Sequence, residues 1–477
     1  MNTQQTSPLA RLLRRIAPTF LLAMLSAAPW AARAAEDISE SARTQIAALL
    51  AEKDARTPAQ RKMDSQLVYF AKKTKSGVAV AAAPSLAIEV RPDVDNRVLV
   101  DVKATVSVEL RSFIIQSGGV IVSEVAAFDA IRVLMPATML ENLAARSDVR
   151  FVEPAAEATT NVGSVLSQGD RTHRAVTART TLGVDGTGIK IGVLSDGVNS
   201  LATSKASGNL NANATFLTGQ AGSGDEGTAM MELIQDLLPG AQLIFATAFS
   251  GTASMASNIQ ALQAAGCSVI VDDVSYFNES PFQDQIISQA VTTVSNAGAM
   301  YFSSARNSGN KNDGTAGTWE GDFADGGVAG APVTTAGNLH DFGGGTTFDT
   351  VASGGSSRRV DLFWADPVGG STNDYDLFVL DSTGATVLRS STNIQSGTQD
   401  PYESTGTLNI GERIVIVKKT GAAARFLHLD TGRAVLTLSH AGQCARSQRL
   451  RCRQCLQRGR HQRGQLAQSE LLRRRRH

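Results

Sequence analysis

At 477 residues the chain exceeds one small core and suggests about three units, and its 42% hydrophobic content with 43 glycines describes a globular, turn-rich protein, which excludes a disordered or membrane-embedded chain. Its formal charge of +1 joins two unlike regions, because residues 443–477 hold eleven Arg and one Glu while the body before them is mildly acidic. Three of the four cysteines (Cys444, Cys452, Cys455) lie in that basic tail, so Cys267 stands alone in the body and a fold stabilised by disulfides is excluded there.

Taken in chain order, Arg11, Arg14 and Arg15 precede an apolar run from Ile16 to Ala28, and Ala32-Arg33-Ala34 offers small residues where a signal peptidase reads. Residues 1–35 are therefore expected to be a secretory signal, and the mature protein to be secreted or periplasmic. No other run approaches the ~18 apolar residues that span a bilayer, so no membrane is expected as a partner of the mature form. Residues 36–85 read as a helical lead and linker, with a helix start at Thr57-Pro58-Ala59-Gln60 and an Ala-rich stretch from Gly77 to Ser85.

Residues 86–155 carry the pattern βαββαβ: strands near 98–102, 120–125, 130–134 and 149–152, helices near 108–116 and 137–145. That is a ferredoxin-like order, two helices on one face of an antiparallel sheet. From Gly186 to Asn310 strands and helices alternate, with near-continuous apolar strands, which predicts an α/β unit with a parallel sheet covered on its faces. Beyond Asn310 the helical periodicity stops. Alternating runs such as Val360 to Trp364 and Tyr375 to Leu380 predict an antiparallel β-sandwich over 335–440, and the tail from 441 to 477 carries no comparable signal.

Three polar residues close or open elements of the predicted parallel sheet. Asp196 follows the strand 189–194, Glu226 opens a helix, and Asn307 follows the strand 300–302. A carboxylate at the carboxyl end of such a strand sits where sites are built, although Asp196 can equally cap its turn and Glu226 can serve as an ordinary acid at a helix N-terminus.

The surrounding stretches resemble the subtilase superfamily, including its sedolisin-like members. The resemblance rests on Gly186-Thr187-Gly188 leading to Leu194-Ser195-Asp196-Gly197, on Glu226-Gly227-Thr228-Ala229-Met230 where the family carries a histidine motif, on Leu238-Pro239-Gly240-Ala241, and on Ser303 to Gly309. It covers about 125 residues and implies a catalytic domain over 175–315, incomplete here, preceded by an inhibitory propeptide packed on it. It further implies that Asp196 orients the base, that Glu226 stands in place of the catalytic His, that Asn307 donates to the oxyanion, and that the substrate is a polypeptide.

The family's nucleophilic serine lies in a Gly-Thr-Ser-x-Ala-x-Pro run, and this sequence contains none. Gly251-Thr252-Ala253-Ser254 looks similar but precedes Asn307, and Ser254 reads more simply as the N-cap of a helix 254–265. Asp272-Asp273 could face a cation, but adjacent residues of a strand point to opposite sides. Cys267 reads as a small core residue. His173, His340, His428 and His440 lack metal-like spacing, and Cys452-x-x-Cys455 has no second pair, so neither metal nor cofactor is expected. The Arg-rich tail lacks the aromatics of a nucleic-acid binder. One account covers tail and missing serine together: a reading frame disrupted near Gly442.

The resulting expectation is a secreted subtilisin- or sedolisin-like serine endopeptidase precursor, inactive as written. The competing expectation is a non-catalytic secreted binding protein that uses the β-sandwich on a degenerate protease scaffold. A glycosidase built on Asp196 and Glu226 has no sugar cleft to support it.

Overall fold

The computed structural model describes residues 38–156, 169–305, 307, 309, 312, 314–329, 337–354 and 357–439. The expected signal (1–35) and basic tail with its cysteines (441–477) lie outside them.

The capping signal at Thr57 forms, with Gln60 N–H donating to Thr57 Oγ1 and Thr57 N–H to Gln60 Oε1, both at 3.2 Å. Yet it leads only into a 3₁₀ turn, Gln60–Lys62, whose N-cap position is Ala59. The helices on either side are α1 (Glu40–Asp54) and α2 (Ser65–Ser76), the latter capped by Asp64, whose Oδ1 accepts from Gln66 N–H at 2.8 Å.

The next unit runs β1 (Arg97–Ala104), α3 (Val108–Gln116), β2 (Val120–Val125), β3 (Ala130–Pro136), α4 (Leu140–Ala144) and β4 (Val149–Pro154). Its sheet has the order β2-β3-β1-β4, and each pairing is antiparallel. Alternation puts Val98, Val100 and Val102 of β1 beside Ile131, Val133 and Met135 of β3, where Leu110, Ile114, Leu140 and Leu143 from the helices bury them. Each such side chain contributes about 1.5–3 kcal/mol.

Two short helices, α5 (Gly169–Thr172) and α6 (Ala175–Leu182), lead into the α/β unit. It contains β5 (Lys190–Ser195), α7 (Leu201–Ser207), β6 (Thr215–Phe216), α8 (Glu226–Leu237), β7 (Gln242–Thr247), α9 (Thr252–Ala264), β8 (Val269–Asp272), α10 (Ile286–Asn296) and β9 (Met300–Ser303). The five strands lie in the order β6-β7-β5-β8-β9 and all pair in parallel. Ile191, Val193, Leu243 and Phe245 face Met231 of α8, whereas Leu194, Ile244 and Ile270 face Met255, Ile259 and Val291 of α9 and α10. Both faces are therefore covered, as a parallel sheet requires.

The strands described from Thr318 to Leu436 form two antiparallel sheets. The smaller orders β10 (Thr318–Asp322), β19 (Phe426–Asp430), β14 (Ser357–Trp364) and β17 (Tyr402–Leu408). The larger orders β11 (Asp325–Val328), β12 (Asn338–His340), β18 (Arg413–Lys418), β13 (Asp349–Gly354) and β20 (Ala434–Leu436); β15 (Tyr375–Leu380) pairs with β18, and β16 (Val387–Ser391) pairs with β15. Strands β10 and β11 thus bring residues ahead of 335 into the sandwich. Trp364, Leu377, Ile414 and Leu429 fill the space between the sheets. The outer face of the larger sheet is also buried, because Ile46, Leu49 and Tyr69 of the N-terminal helices lie over Phe378, Val415 and Val417. Residues 38–86, expected as a helical lead and linker, form a third layer.

Candidate active site

The apolar run of β5 ends at Ser195, and Asp196 turns out of the carboxyl edge of the sheet. Its Oδ1 accepts from Gly197 N–H at 2.5 Å and from Gly227 N–H at 3.2 Å. Its backbone carbonyl accepts from Thr247 Oγ1 at 2.8 Å, at the carboxyl end of neighbouring β7. Hydrogen bonds to a charged acceptor are each worth about 1.5–3 kcal/mol, so the carboxylate is anchored by the backbone around it.

The segment 221–224 closes over this aspartate. Val198 N–H donates to Ala221 O, Ser223 N–H to Asp196 O and Asn199 N–H to Gly224 O. Gly224 meets the carboxylate itself: φ is +118° and an added Cβ would lie 2.0 Å from Asp196 Oδ2. A side chain there would displace the carboxylate, so a glycine is required on both conformational and steric grounds. The run Gly222-Ser223-Gly224 was the sequence signal for this wrap.

Asp225 precedes α8 and accepts from Ser200 N–H (2.6 Å), Ser200 Oγ (2.9 Å) and Thr228 Oγ1 (3.0 Å). Burial opposes its ionisation, but the Ser200 and Thr228 donors outweigh burial and hold the carboxyl below the usual carboxylate range. A charged Asp225 suits the positive end of α8. Glu226 is the first residue of α8; it is half-buried, with Oε2 shielded from solvent. Gly227, whose N–H reaches Asp196, directly follows it. The structure therefore brings Asp196 and Glu226 onto adjoining backbone at one edge of the sheet.

Asn307 is exposed and lies four residues past the end of β9. That strand is two places from β5 in the sheet, about 10 Å at the usual strand spacing. Between them, Asp272 ends β8 and is buried, its Oδ1 accepting from Ser303 Oγ at 3.0 Å and Val274 N–H at 3.3 Å. Asp273 beside it is half-buried. Among the described residues no cluster of three or more potential metal ligands occurs.

Ser254 is the third residue of α9, not its N-cap; the capping position is Gly251, without a side-chain cap. The helix begins two residues earlier than Ser254 because Gly251, at φ +100°, makes the turn. Burial pushes the Cys267 thiol up to about 11, so it packs as a small core group and supplies no thiolate. Among the described residues the parallel sheet ends at β9, and no parallel strand follows it.

The polar face of the βαββαβ sheet meets the amino end of α9. Ser123 Oγ donates to Ser250 O at 3.3 Å, and the Arg132 guanidinium lies 3.1 Å from where a Cβ on Gly251 would stand. Arg132 also grips Asp101 through two bonds (2.7 and 2.8 Å) and donates to Ala156 O at 2.9 Å. A cavity of about 510 Å³ opens where this unit, the α/β unit and the sandwich meet, lined by Lys103, Glu153, Asn278 and Asp400 among others. Asp196, Glu226 and Asn307 are not in its wall. Among the described residues no helix is long and apolar enough to cross a membrane.

No protein-family model and no curated protein sequence matches the chain. Solved structures with matching segments include the epidermin leader peptide processing serine protease of Staphylococcus aureus, at 13% identity over 46% of this chain and 63% of that one, with a TM-score of 0.33. A second structure of that protease matches at 12% identity over 46% and 62%, TM-score 0.32. Fervidolysin from Fervidobacterium pennivorans, described as a keratinolytic enzyme related to subtilisin, matches at 14% identity over 47% and 42%, TM-score 0.28. The chain spans less than two thirds of each of these proteins, and at such identities and TM-scores the matches assign it neither a family nor a chemistry. Its architecture is a mixed α/β one, a parallel sheet joined to antiparallel sheets.

Proposed function

We propose that the chain is a secreted serine endopeptidase precursor of subtilase type, holding the acid–base half of a catalytic site without its nucleophile. The observation that supports this best is the single carboxylate of Asp196, held at the carboxyl edge of the parallel sheet by the N–H that follows Glu226. In a chain that also carried the serine, Glu226 would take the hydroxyl proton as the serine oxygen attacks a peptide carbonyl carbon. Asn307 would donate its side-chain N–H to the oxyanion, and Glu226 would pass the proton to the departing amine. Water would then hydrolyse the acyl-serine with Glu226 again as base. Asp196 would position Glu226 through the first turn of α8. The βαββαβ unit would be the propeptide, resting on the start of α9.

The competing reading, a binding protein that presents its sandwich, needs a free sandwich face, and one broad face is occupied by residues 38–86. The experiment is a casein assay from acid to neutral pH, beside a frame-restored gene carrying whatever the DNA after codon 442 encodes in the adjacent frame. The present chain is expected to be inert and the restored one to lose activity on Glu226→Gln. Cleavage by the restored chain that survives Glu226→Gln, or an adjacent frame with no Gly-Thr-Ser-x-Ala-x-Pro codons, would remove the proposal.

A further inference from the structure

The sandwich's larger sheet ends in an edge strand, β16, whose only strand partner among the described residues is β15. An open edge is a template for pairing with other chains. Here the N-terminal segment occupies it. Ala87 N–H donates to Leu388 O at 2.6 Å, Gln66 Nε2 to Ser390 O at 2.9 Å, and Val387 N–H to Gln45 Oε1 at 2.9 Å. Further along the same face, Ser65 N–H donates to Asn393 Oδ1 at 2.6 Å, and the Arg56 guanidinium donates to Thr392 O at 2.7 Å.

The centre of this contact is ionic. Lys53, at the end of α1, is fully buried, and its ammonium lies 2.6 Å from Asp374 Oδ1 and 2.7 Å from Asp376 Oδ1. Burial disfavours the charge, but Asp376, Asp374 and Glu403 outweigh burial and keep the amine protonated. A buried ammonium held by two carboxylates of the opposite layer fixes register, since any slip leaves charges without partners. The same segment also faces the other way: Met63, Leu67 and Val68 enter the βαββαβ core, and Asp64 N–H donates to Val152 O at 2.9 Å.

We propose that the sandwich is the receptor for the chain's own residues 38–91, with Asp374 and Asp376 forming its lysine pocket, so that this segment straps the βαββαβ unit to the sandwich. The strap stands whether or not the chain is a peptidase. Its consequence is that residues 38–156 stay bound after the connection to the α/β unit is cut.

The test uses the full chain with a specific protease site introduced between residues 156 and 169, followed after cleavage by gel filtration and by the dissociation rate of the N-terminal fragment that holds residues 38–156. The fragment is expected to co-elute with the remainder. Lys53→Met leaves Asp376 buried without its ion-pair partner and Asp374 with only Lys419, at 3.9 Å, and should speed release at least about a hundredfold. Lys53→Met combined with Asp374→Asn and Asp376→Asn removes the stranded charge and should recover at least about tenfold of that loss. Tyr69→Phe, which deletes the hydroxyl's bonds to Thr392 Oγ1 (2.7 Å) and Ser390 Oγ (3.4 Å) and keeps the ring, is the mild variant that keeps the test open if Lys53→Met does not fold, and should speed release about fivefold. A wild-type fragment that elutes apart from the remainder overturns the proposal. So do Lys53→Met and Tyr69→Phe releasing within twofold of the wild type.

Discussion

Gly227 donates its N–H to Oδ1 of Asp196 at 3.2 Å, so one carboxylate joins the tip of β5 to the first turn of α8. The same oxygen takes the Gly197 N–H. Removing the carboxylate strands both donors. Asp196→Ala is therefore expected to cost about 1–3 kcal/mol, while Asp196→Asn, which keeps a carbonyl oxygen, should lose less than half of that. Urea unfolding of the three proteins checks the order. Equal midpoints would mean that the carboxylate does not hold the edge together.

Gly224→Ala tests the wrap over Asp196. The new methyl would meet Asp196 Oδ2 at 2.0 Å in a backbone with φ +118°, so either the loop or the carboxylate must move. Gly208 provides the comparison, since it too has positive φ (+82°) but open space where its Cβ would stand. Gly208→Ala should cost about 1 kcal/mol from conformation alone. Gly224→Ala should cost at least about 2 kcal/mol more. A thermal scan that ranks the two equally would place the carboxylate elsewhere.

The elements were legible where one side-chain period ruled. Val98, Val100 and Val102 alternate against Asp101 and Lys103, and Ile191 to Leu194 form an unbroken apolar run; these patterns mark a half-buried and a fully buried strand. The candidate site was legible as positions along the chain, because Asp196 and Glu226 stand at the boundary of a strand and of a helix. The bond that ties Asp196 to the first turn of α8 was not, since it is made by the backbone N–H of Gly227, and backbone atoms leave no trace in residue type. The role of residues 38–86 was hidden for another reason. Lys53, Arg56 and Gln66 are polar types that carry no local sign of burial, and only their partners more than three hundred residues away, Asp374, Thr392 and Ser390, make them buried. The apolar runs Leu377 to Leu380 of β15 and Ile414 to Val417 of β18, buried on both faces, were the local sign that a further layer covers the sandwich.

Asp349 gives the sandwich a pH dependence. It is fully buried, its Oδ1 accepts from Thr350 N–H at 2.8 Å and Leu438 N–H at 3.0 Å, and Oδ2 has no hydrogen-bond partner among the described residues. Burial pushes its carboxyl up to about 7 against an ordinary 3.8. The folded chain thus binds this proton more tightly than the unfolded chain, and stability falls as pH rises from about 4 to about 7. The span is on the order of 4 kcal/mol. Asp349→Asn keeps the Oδ1 acceptor and has no charge to lose, so its advantage over the wild type should be absent near pH 4 and full above pH 7. Urea midpoints read by tryptophan fluorescence across that range decide it; an advantage independent of pH would refute the assignment.

His340 has the opposite sign. Its ring is fully buried beside Trp319 (centroids 4.6 Å apart) and Phe342 (4.7 Å), with Nδ1 accepting from Ala324 N–H at 3.2 Å. Burial lowers its pKa from 6.5 to about 4, so the folded chain resists protonation and stability is lost as pH falls between those values. The loss is on the order of 3 kcal/mol. Between about pH 4 and 6.5 this slope runs against that of Asp349, and the two largely cancel in the wild type. Each single variant should therefore unmask the other group. Asp349→Asn is expected to unfold more easily as pH drops through this window. His340→Phe retains the aromatic packing but strands the Ala324 N–H, so it should lose about 1–3 kcal/mol at pH 7 and lose less as the solution is acidified, until it matches or exceeds the wild type near pH 4. The double variant should be flat. Trp319 reports on these transitions directly, because its ring packs on His340. A double variant with a slope as steep as either single one would mean that other groups govern the acid response of the sandwich.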